Sequence, residues 1–240
     1  GGNRILTCST AAGPAFEGAE IKFGMRAADG AIEGVKITED VELAVIGNAK
    51  PIGICGSGLI DAIAQMAEAG VITGSGRIIS APEEIAQLPP KLQKRIRRVE
   101  QSSEFVLAWA QDTGNKEDVV LTQKDIRELQ LAKGAILAGI KILMKEMGIG
   151  IEQIDRVLLA GAFGNYIRKE SALRIGLLPN LPIEKIKAIG NAAGDGAKMV
   201  LLSAKERQKA TDFAKRSEHL ELSTRSDFQE EFVMALGFGD

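Results

Sequence analysis

Aromatic side chains are scarce in this chain: 4% of 240 residues, with one tryptophan, one tyrosine and eight phenylalanines. Its core must therefore be aliphatic. Cysteine is rarer still, with Cys8 and Cys55 only. Two thiols exclude a secreted disulfide scaffold, and they exclude a cysteine-only zinc or iron–sulfur site within one chain, which takes four. Reduced thiols and a cytoplasmic location are the expectation. His219 is the single histidine; beside an edge strand, it reads as structural. No Ser–His–Asp set, zinc spacing or Walker-type phosphate loop occurs. Thirty basic residues against 32 acidic ones leave a net charge of -2, so no long-range field favours nucleic acid or anionic lipid. No apolar run reaches the roughly 18 residues of a membrane span. The chain opens Gly1-Gly2-Asn3 without a methionine or a signal peptide, which reads as a piece of something longer.

What is present is ordinary globular material, 45% hydrophobic and 26% charged. Glycine is the exception: 27 residues, well above the ~7% usual in globular proteins. Residues 5–9 read as a strand, and residues 18–25 as a short helix. Two β-runs, 31–37 and 41–46, flank a turn at Thr38-Glu39-Asp40. A helix is expected over 59–69, after Cys55-Gly56-Ser57-Gly58. Residues 73–118 read as a less regular insertion, with a basic stretch from Lys91 to Arg98. That stretch is expected to be a solvated face; a docking patch for an acidic partner is the sharper alternative. Thr122 and Asp125 have capping-box spacing. They open a long helix whose apolar stripe runs from Ile126 and Leu129 to Met144 and Met147. Strands are expected at 156–160, 186–189 and 219–222. Helices are expected at 171–176, up to 203 and on through 205–215, and at 227–236. Strands alternating with helices imply an α/β layered fold, taken here as one domain over residues 1–240.

Chemistry concentrates where strands run into glycine. Val157-Leu158-Leu159-Ala160 leads directly to Gly161-Ala162-Phe163-Gly164-Asn165. Ile189 leads to Gly190-Asn191-Ala192-Ala193-Gly194-Asp195-Gly196, which opens a helix. Backbone N–H groups free of side chains can approach a flat ring or a phosphate, and a helix N-terminus suits an anion. Tight strand–helix packing is the bland reading of either junction; the two together favour a ligand cleft. Gly56, Ser57 and Gly58 form a third, weaker candidate for anion contact. Lys133 falls on the apolar stripe of the long helix and must snorkel or meet an anion. With Gln130 one turn earlier, it would flank a nucleotide bordering that helix. Asp195 either caps its helix or helps hold a metal–phosphate through water.

Four runs carry a family resemblance: Cys8-Ser9-Thr10-Ala11-Ala12-Gly13-Pro14-Ala15-Phe16-Glu17-Gly18, Gly53-Ile54-Cys55-Gly56-Ser57-Gly58-Leu59-Ile60-Asp61, Leu159-Ala160-Gly161-Ala162-Phe163-Gly164-Asn165 and Gly190-Asn191-Ala192-Ala193-Gly194-Asp195-Gly196-Ala197. In this order they resemble the reductive activators of corrinoid proteins. The resemblance covers nearly the whole chain, including Asp227-Phe228-Gln229-Glu230-Glu231-Phe232. It implies the ASKHA fold (acetate and sugar kinase, heat-shock chaperone and actin; ribonuclease H-like), here the second lobe of the nucleotide-binding unit. It also implies ATP with Mg2+ and a [2Fe–2S] cluster in a ferredoxin-like domain that this sequence lacks. The implied activity is ATP-driven one-electron reduction of cob(II)amide to cob(I)amide on a corrinoid partner protein, by a homodimer. The resemblance puts residues 161–165 at the adenosine motif, Gly194, Asp195 and Gly196 in the same cleft, and Gln130 and Lys133 on the flanking helix. The phosphate hairpin and the first lobe of such proteins have no counterpart here, so no catalytic residue is assigned.

Other readings stay open. A dehydratase-type activator would use a cysteine beside a glycine run, as at Cys55, to bridge a [4Fe–4S] cluster between two subunits. A non-catalytic dimerisation or docking domain would use the same fold. A sugar-type kinase would need a general base that is not evident here.

Overall fold

The computed structural model describes residues 4–161, 164 and 166–238. Ala162, Phe163 and Asn165 of the first glycine junction lie outside the described residues. In chain order the elements are β1 (Ile5–Cys8), β2 (Ala31–Ile37), β3 (Val41–Val45), β4 (Gly53–Ile54) and α1 (Gly56–Glu68), followed by two single-turn helices, α2 (Pro82–Ile85) and α3 (Pro90–Gln93). Then come β5 (Ile96–Val99), β6 (Ser102–Ala108), β7 (Val119–Thr122) and the long α4 (Gln123–Met147). The last third holds β8 (Val157–Leu159), α5 (Lys169–Arg174), β9 (Ile186–Ala188), α6 (Ala192–Leu202), α7 (Ala204–Arg216), β10 (Ser217–Leu220) and α8 (Ser226–Met234).

The strands form four small sheets among the described residues. β2 is central in one, antiparallel to β3 and parallel to β4. β5, β6 and β7 make an antiparallel meander. β1 pairs in parallel with β10, and β8 with β9. In the first of these pairs, His219 Nδ1 lies 3.3 Å from Thr7 Oγ1.

The core is aliphatic, as the shortage of aromatics requires. Ile32, Ile54, Leu59, Ile60, Ile63 and Met66 are buried between β2, β4 and α1, and only Phe105 among the largest buried side chains is aromatic. Ten of the 13 residues of α1 are buried, so it is an interior helix rather than a surface one. α4 begins with the expected capping box: Asp125 N–H donates to Thr122 Oγ1 at 3.2 Å, and Thr122 N–H to Asp125 Oδ2 at 2.8 Å. Gly148, at φ +63°, ends it.

The structure departs from the sequence reading in several places. Residues 18–25 are turns, not a helix. Gly18 and Glu20 both have positive φ, and Met25 N–H and Phe23 C=O are spent on Ile54 of β4. Helix α1 starts at Gly56 rather than at residue 59, so the glycines form its first turn. Residues 73–118 are more regular than expected, because they supply β5 and β6. The basic stretch is largely neutralised: Arg95 bonds Asp40 and the carbonyls of Val106 and Leu107, and Arg97 bonds Glu104 and Asp118. Helices α6 and α7 are separate. Ser203 leaves helical geometry between them and caps α7 through Glu206 N–H.

Gly58 of α1 is required by packing. A Cβ at Gly58 would fall 2.1 Å from the Ile32 carbonyl oxygen of β2. Gly58→Ala should therefore lower stability by about 2–3 kcal/mol, or prevent soluble expression. Gly196→Ala, where a Cβ meets nothing within 4 Å, should stay within ~0.5 kcal/mol of wild type. Urea unfolding of the two variants checks the contrast.

Candidate functional site

The two glycine junctions meet because β8 and β9 are parallel. Val157 pairs with Ile186, Leu158 with Lys187 and Leu159 with Ala188. The pairing continues past both strands: Ile189 N–H donates to Leu159 C=O at 3.0 Å, and Gly161 N–H to Gly190 C=O at 2.7 Å. The carboxyl ends of both strands thus point the same way, and ligands of open α/β sheets settle outside such ends. Gly161 (φ +93°) and Gly190 (φ +68°) have left-handed backbones, at which both chains turn away. Among the described residues, a Cβ at Gly161 or at Gly196 would meet nothing within 4 Å, so both peptides border open space there. Gly164 folds back onto Leu159, where an added Cβ would sit 3.0 Å from the backbone.

Helix α6 starts at this ledge. Its cap is Asn191, whose Oδ1 accepts from Gly194 N–H at 3.0 Å. Asp195 is therefore not the cap. Its carboxylate is exposed and pairs with Lys198 Nζ at 3.6 Å, one turn on. None of the α6 residues is buried, and Met199, Leu201 and Leu202 are 54%, 75% and 84% exposed.

The other candidates sit elsewhere. Gly56, Ser57 and Gly58 are buried, and Gly58 packs against Ile32 of β2 instead of facing an open cleft. The Cys55 thiol donates to Ile32 C=O at 3.4 Å and lies 3.3 Å from Ser57 Oγ. A buried thiol of this kind offers nothing to a cluster bridging two subunits. Gln130 Nε2 donates to Ser75 C=O at 3.0 Å and to Leu236 C=O at 2.8 Å. Lys133 is 1% exposed. It neither snorkels nor meets an anion: its Nζ donates to Gly237 C=O and lies 5.2 Å from the centre of the Phe238 ring. None of the hydrogen bonds described for Gln130 or Lys133 reaches either glycine junction. Both residues anchor the C-terminal segment, which is further tied by Phe238 N–H to Gly74 C=O at 2.7 Å.

Comparison with known proteins follows the same lines. The family model described as the C-terminal domain of RACo, the ASKHA domain, matches residues 1–240. The chain belongs to that family. It is 37% identical over 241 residues to the corrinoid activation enzyme RamQ of Eubacterium limosum, covering 99% of this chain and 40% of that protein. It is 29% identical over 262 residues to the [Co(II) methylated amine-specific corrinoid protein] reductase of Methanosarcina barkeri, covering 99% of this chain and 43% of that one. A solved structure, a reductive activator for corrinoid, iron-sulfur protein, superposes with a TM-score of 0.86 at 43% identity over 97% of this chain and 36% of the other. The chain therefore spans about 40% of the length of the curated relatives it matches.

Two clefts of this ASKHA domain lie away from the ledge. One of about 560 Å³ is lined by Glu20, Lys22, Glu104 and Lys124 among others. One of about 460 Å³ is lined by Lys50, Gln111, Thr113 and Lys116 among others. The first is floored by ion pairs already made, Lys22–Glu104 at 3.2 Å and Lys124–Glu20 at 3.1 Å. Sequence reasoning missed one residue of the site region, Asp61. It is buried on α1 and reaches Ser171 and Arg168, just past the first junction. An acid on the buried face of an apolar helix was the available signal.

The burial of Lys133 has a consequence for stability. Desolvation first, and the like charge of Lys141 second, push its pKa down to about 8 from the ordinary 10.5. Between those two values the unfolded chain binds more protons than the folded one, so stability rises with pH across that window. Urea unfolding at pH 7.5 and pH 10 should show a gain of about 1–2 kcal/mol from this group. Lys133→Met should remove that gain; an unchanged pH slope in the variant would contradict the assignment.

Proposed function

We propose that this chain is the ATP-binding part of a longer reductive activator, which reduces cob(II)amide to cob(I)amide on a corrinoid methyl-carrier protein. The observation that carries the reading is the pairing of Gly161 with Gly190, which sets two stretches of bare backbone side by side with open space above Gly161 and Gly196. Residues 161–165 would line the adenosine side. Gly194 and Gly196 would let phosphate oxygens approach the α6 N-terminus, where the partial positive charge of the helix favours an anion. The exposed Asp195 carboxylate would hold Mg2+ through water. Gln130, Lys133 and Gly58 are left to structural roles, because their polar groups and packing are already engaged.

The relatives' names support the corrinoid protein as partner, and the matched family supports nucleotide binding. ATP, when bound, supplies differential binding energy between two conformations, enough to bias a two-state element by about 1–3 kcal/mol. The electron would come from a [2Fe–2S] cluster outside this chain, in the remaining part of the longer protein. The remaining wall of the cleft is assigned to the same part, in keeping with the exposed apolar face of α6. The protein would act as a homodimer in the cytoplasm, with Val233 and Met234, both exposed on α8, as apolar surface available for pairing.

Calorimetric titration of the full-length protein with a non-hydrolysable ATP analogue tests the reading. In Gly161→Val a β-branched residue would replace glycine at φ +93°, and affinity should fall at least about tenfold. Intact partner binding and corrinoid reduction in that variant would favour a docking domain without a nucleotide role. The 240-residue chain alone should bind the analogue more weakly than the full-length protein and hydrolyse little ATP. Submicromolar affinity with brisk turnover by this chain alone would overturn the assignment of the catalytic wall to the rest of the protein.

A further inference from the structure

Asp61 ties the first glycine junction to the β2 sheet. Beyond Ile32, β4 no longer covers the edge of β2, which leaves N–H groups on that side to be satisfied otherwise. Two side chains of α1 do so: Asp61 Oδ2 accepts from Val35 N–H at 2.8 Å, and Gln65 Oε1 accepts from Ile37 N–H at 3.0 Å. The match is geometric. Four residues of helix rise about 6 Å, close to the ~6.6 Å of two residues of strand.

The other oxygen of Asp61 points to the chain that leaves the junction. Oδ1 accepts from Ser171 Oγ at 2.5 Å and lies 3.5 Å from Arg168 Nη1. Arg168 stands immediately before α5, four residues after Gly164, and its side chain is 54% exposed. Ser171, within α5, is buried. One carboxylate thus joins β2, α1 and the segment that follows the ledge, and it is 2% exposed. A buried carboxylate needs such partners, and losing one of them loosens whatever the partner was holding.

We propose that Asp61 is a positioning residue for the ledge: through Arg168 and Ser171 it fixes where Gly164, Tyr166 and Ile167 lie ahead of α5, and so sets nucleotide affinity without touching the nucleotide. The proposal rests on the nucleotide reading above. It makes the second family run, which ends at Asp61, a brace for the third.

The test uses the full-length protein with Arg168→Gln, Asp61→Asn and the double variant. Hydrogen exchange without nucleotide is read on the peptide carrying residues 158–168, and Kd is measured for a non-hydrolysable ATP analogue. Arg168→Gln alters a half-exposed side chain, so its Tm should stay near wild type while exchange in that peptide rises and the analogue binds about fivefold more weakly. Asp61→Asn should do the same or more, and adding Arg168→Gln to it should cost nothing further. Exchange and affinity within twofold of wild type in Arg168→Gln would overturn the proposal. So would a loss in Asp61→Asn that tracks Tm alone, with exchange raised evenly over α1 and β2. Raised exchange confined to the 158–168 peptide, in a protein that binds no analogue even as wild type, would support the brace and sink the nucleotide reading.

Discussion

The parallel pairing of β8 with β9 is the constraint on which the candidate site depends. Each strand is only three residues long, and each runs into glycine at its carboxyl end. In an antiparallel pair those ends would lie on opposite sides, and the glycines would be two unrelated turns. In a parallel pair they become neighbours, although about 30 residues separate them in sequence. The Gly161–Gly190 hydrogen bond extends the register one step beyond the strands. The crossover between the strands contains α5, which packs against α1 through Ser171 and Asp61. The ledge is thus held from below by the same chain that connects its two halves.

Much of this was legible in the sequence. The capping box at Thr122 and Asp125, the stripe of α4 and its glycine stop are local patterns, and local patterns survive into the fold. Positions where strands meet glycine were equally visible, because a run of aliphatic residues ending in bare backbone leaves few alternatives. Helical spacing also placed Lys133 on the apolar stripe of α4. What it could not supply was the identity of the covering element. That element is the C-terminal segment, about 104 residues further along the chain, and a one-dimensional period carries no information about a contact at that distance. Residues 18–25 failed for the opposite reason: their composition tolerates a helix, but their hydrogen bonds are claimed by β4.

Buried polar groups show how the domain divides its labour. Lys133 and Gln130 hold the terminus to α4, Asp125 holds the start of α4 to the turn at Lys22, and Asp61 holds the segment after the ledge to α1 and β2. Each is satisfied by carbonyls, hydroxyls or backbone N–H groups from a distant part of the chain, as burial demands. By contrast, the polar groups at the ledge are exposed, and the helix that starts there has no buried residue. Helices α7 and α8 likewise have no buried residue; what distinguishes the ledge is the pairing of Gly161 with Gly190.

The measurement that reaches the central claim most directly is a hydrogen-exchange footprint of a non-hydrolysable ATP analogue on the full-length protein. The account predicts protection confined to two peptides of this chain, one over residues 158–168 and one over residues 189–197, with no change at the cleft between Glu20 and Glu104 or at the C-terminal segment around Lys133. Protection at either of those places, with both junction peptides unchanged, would contradict it.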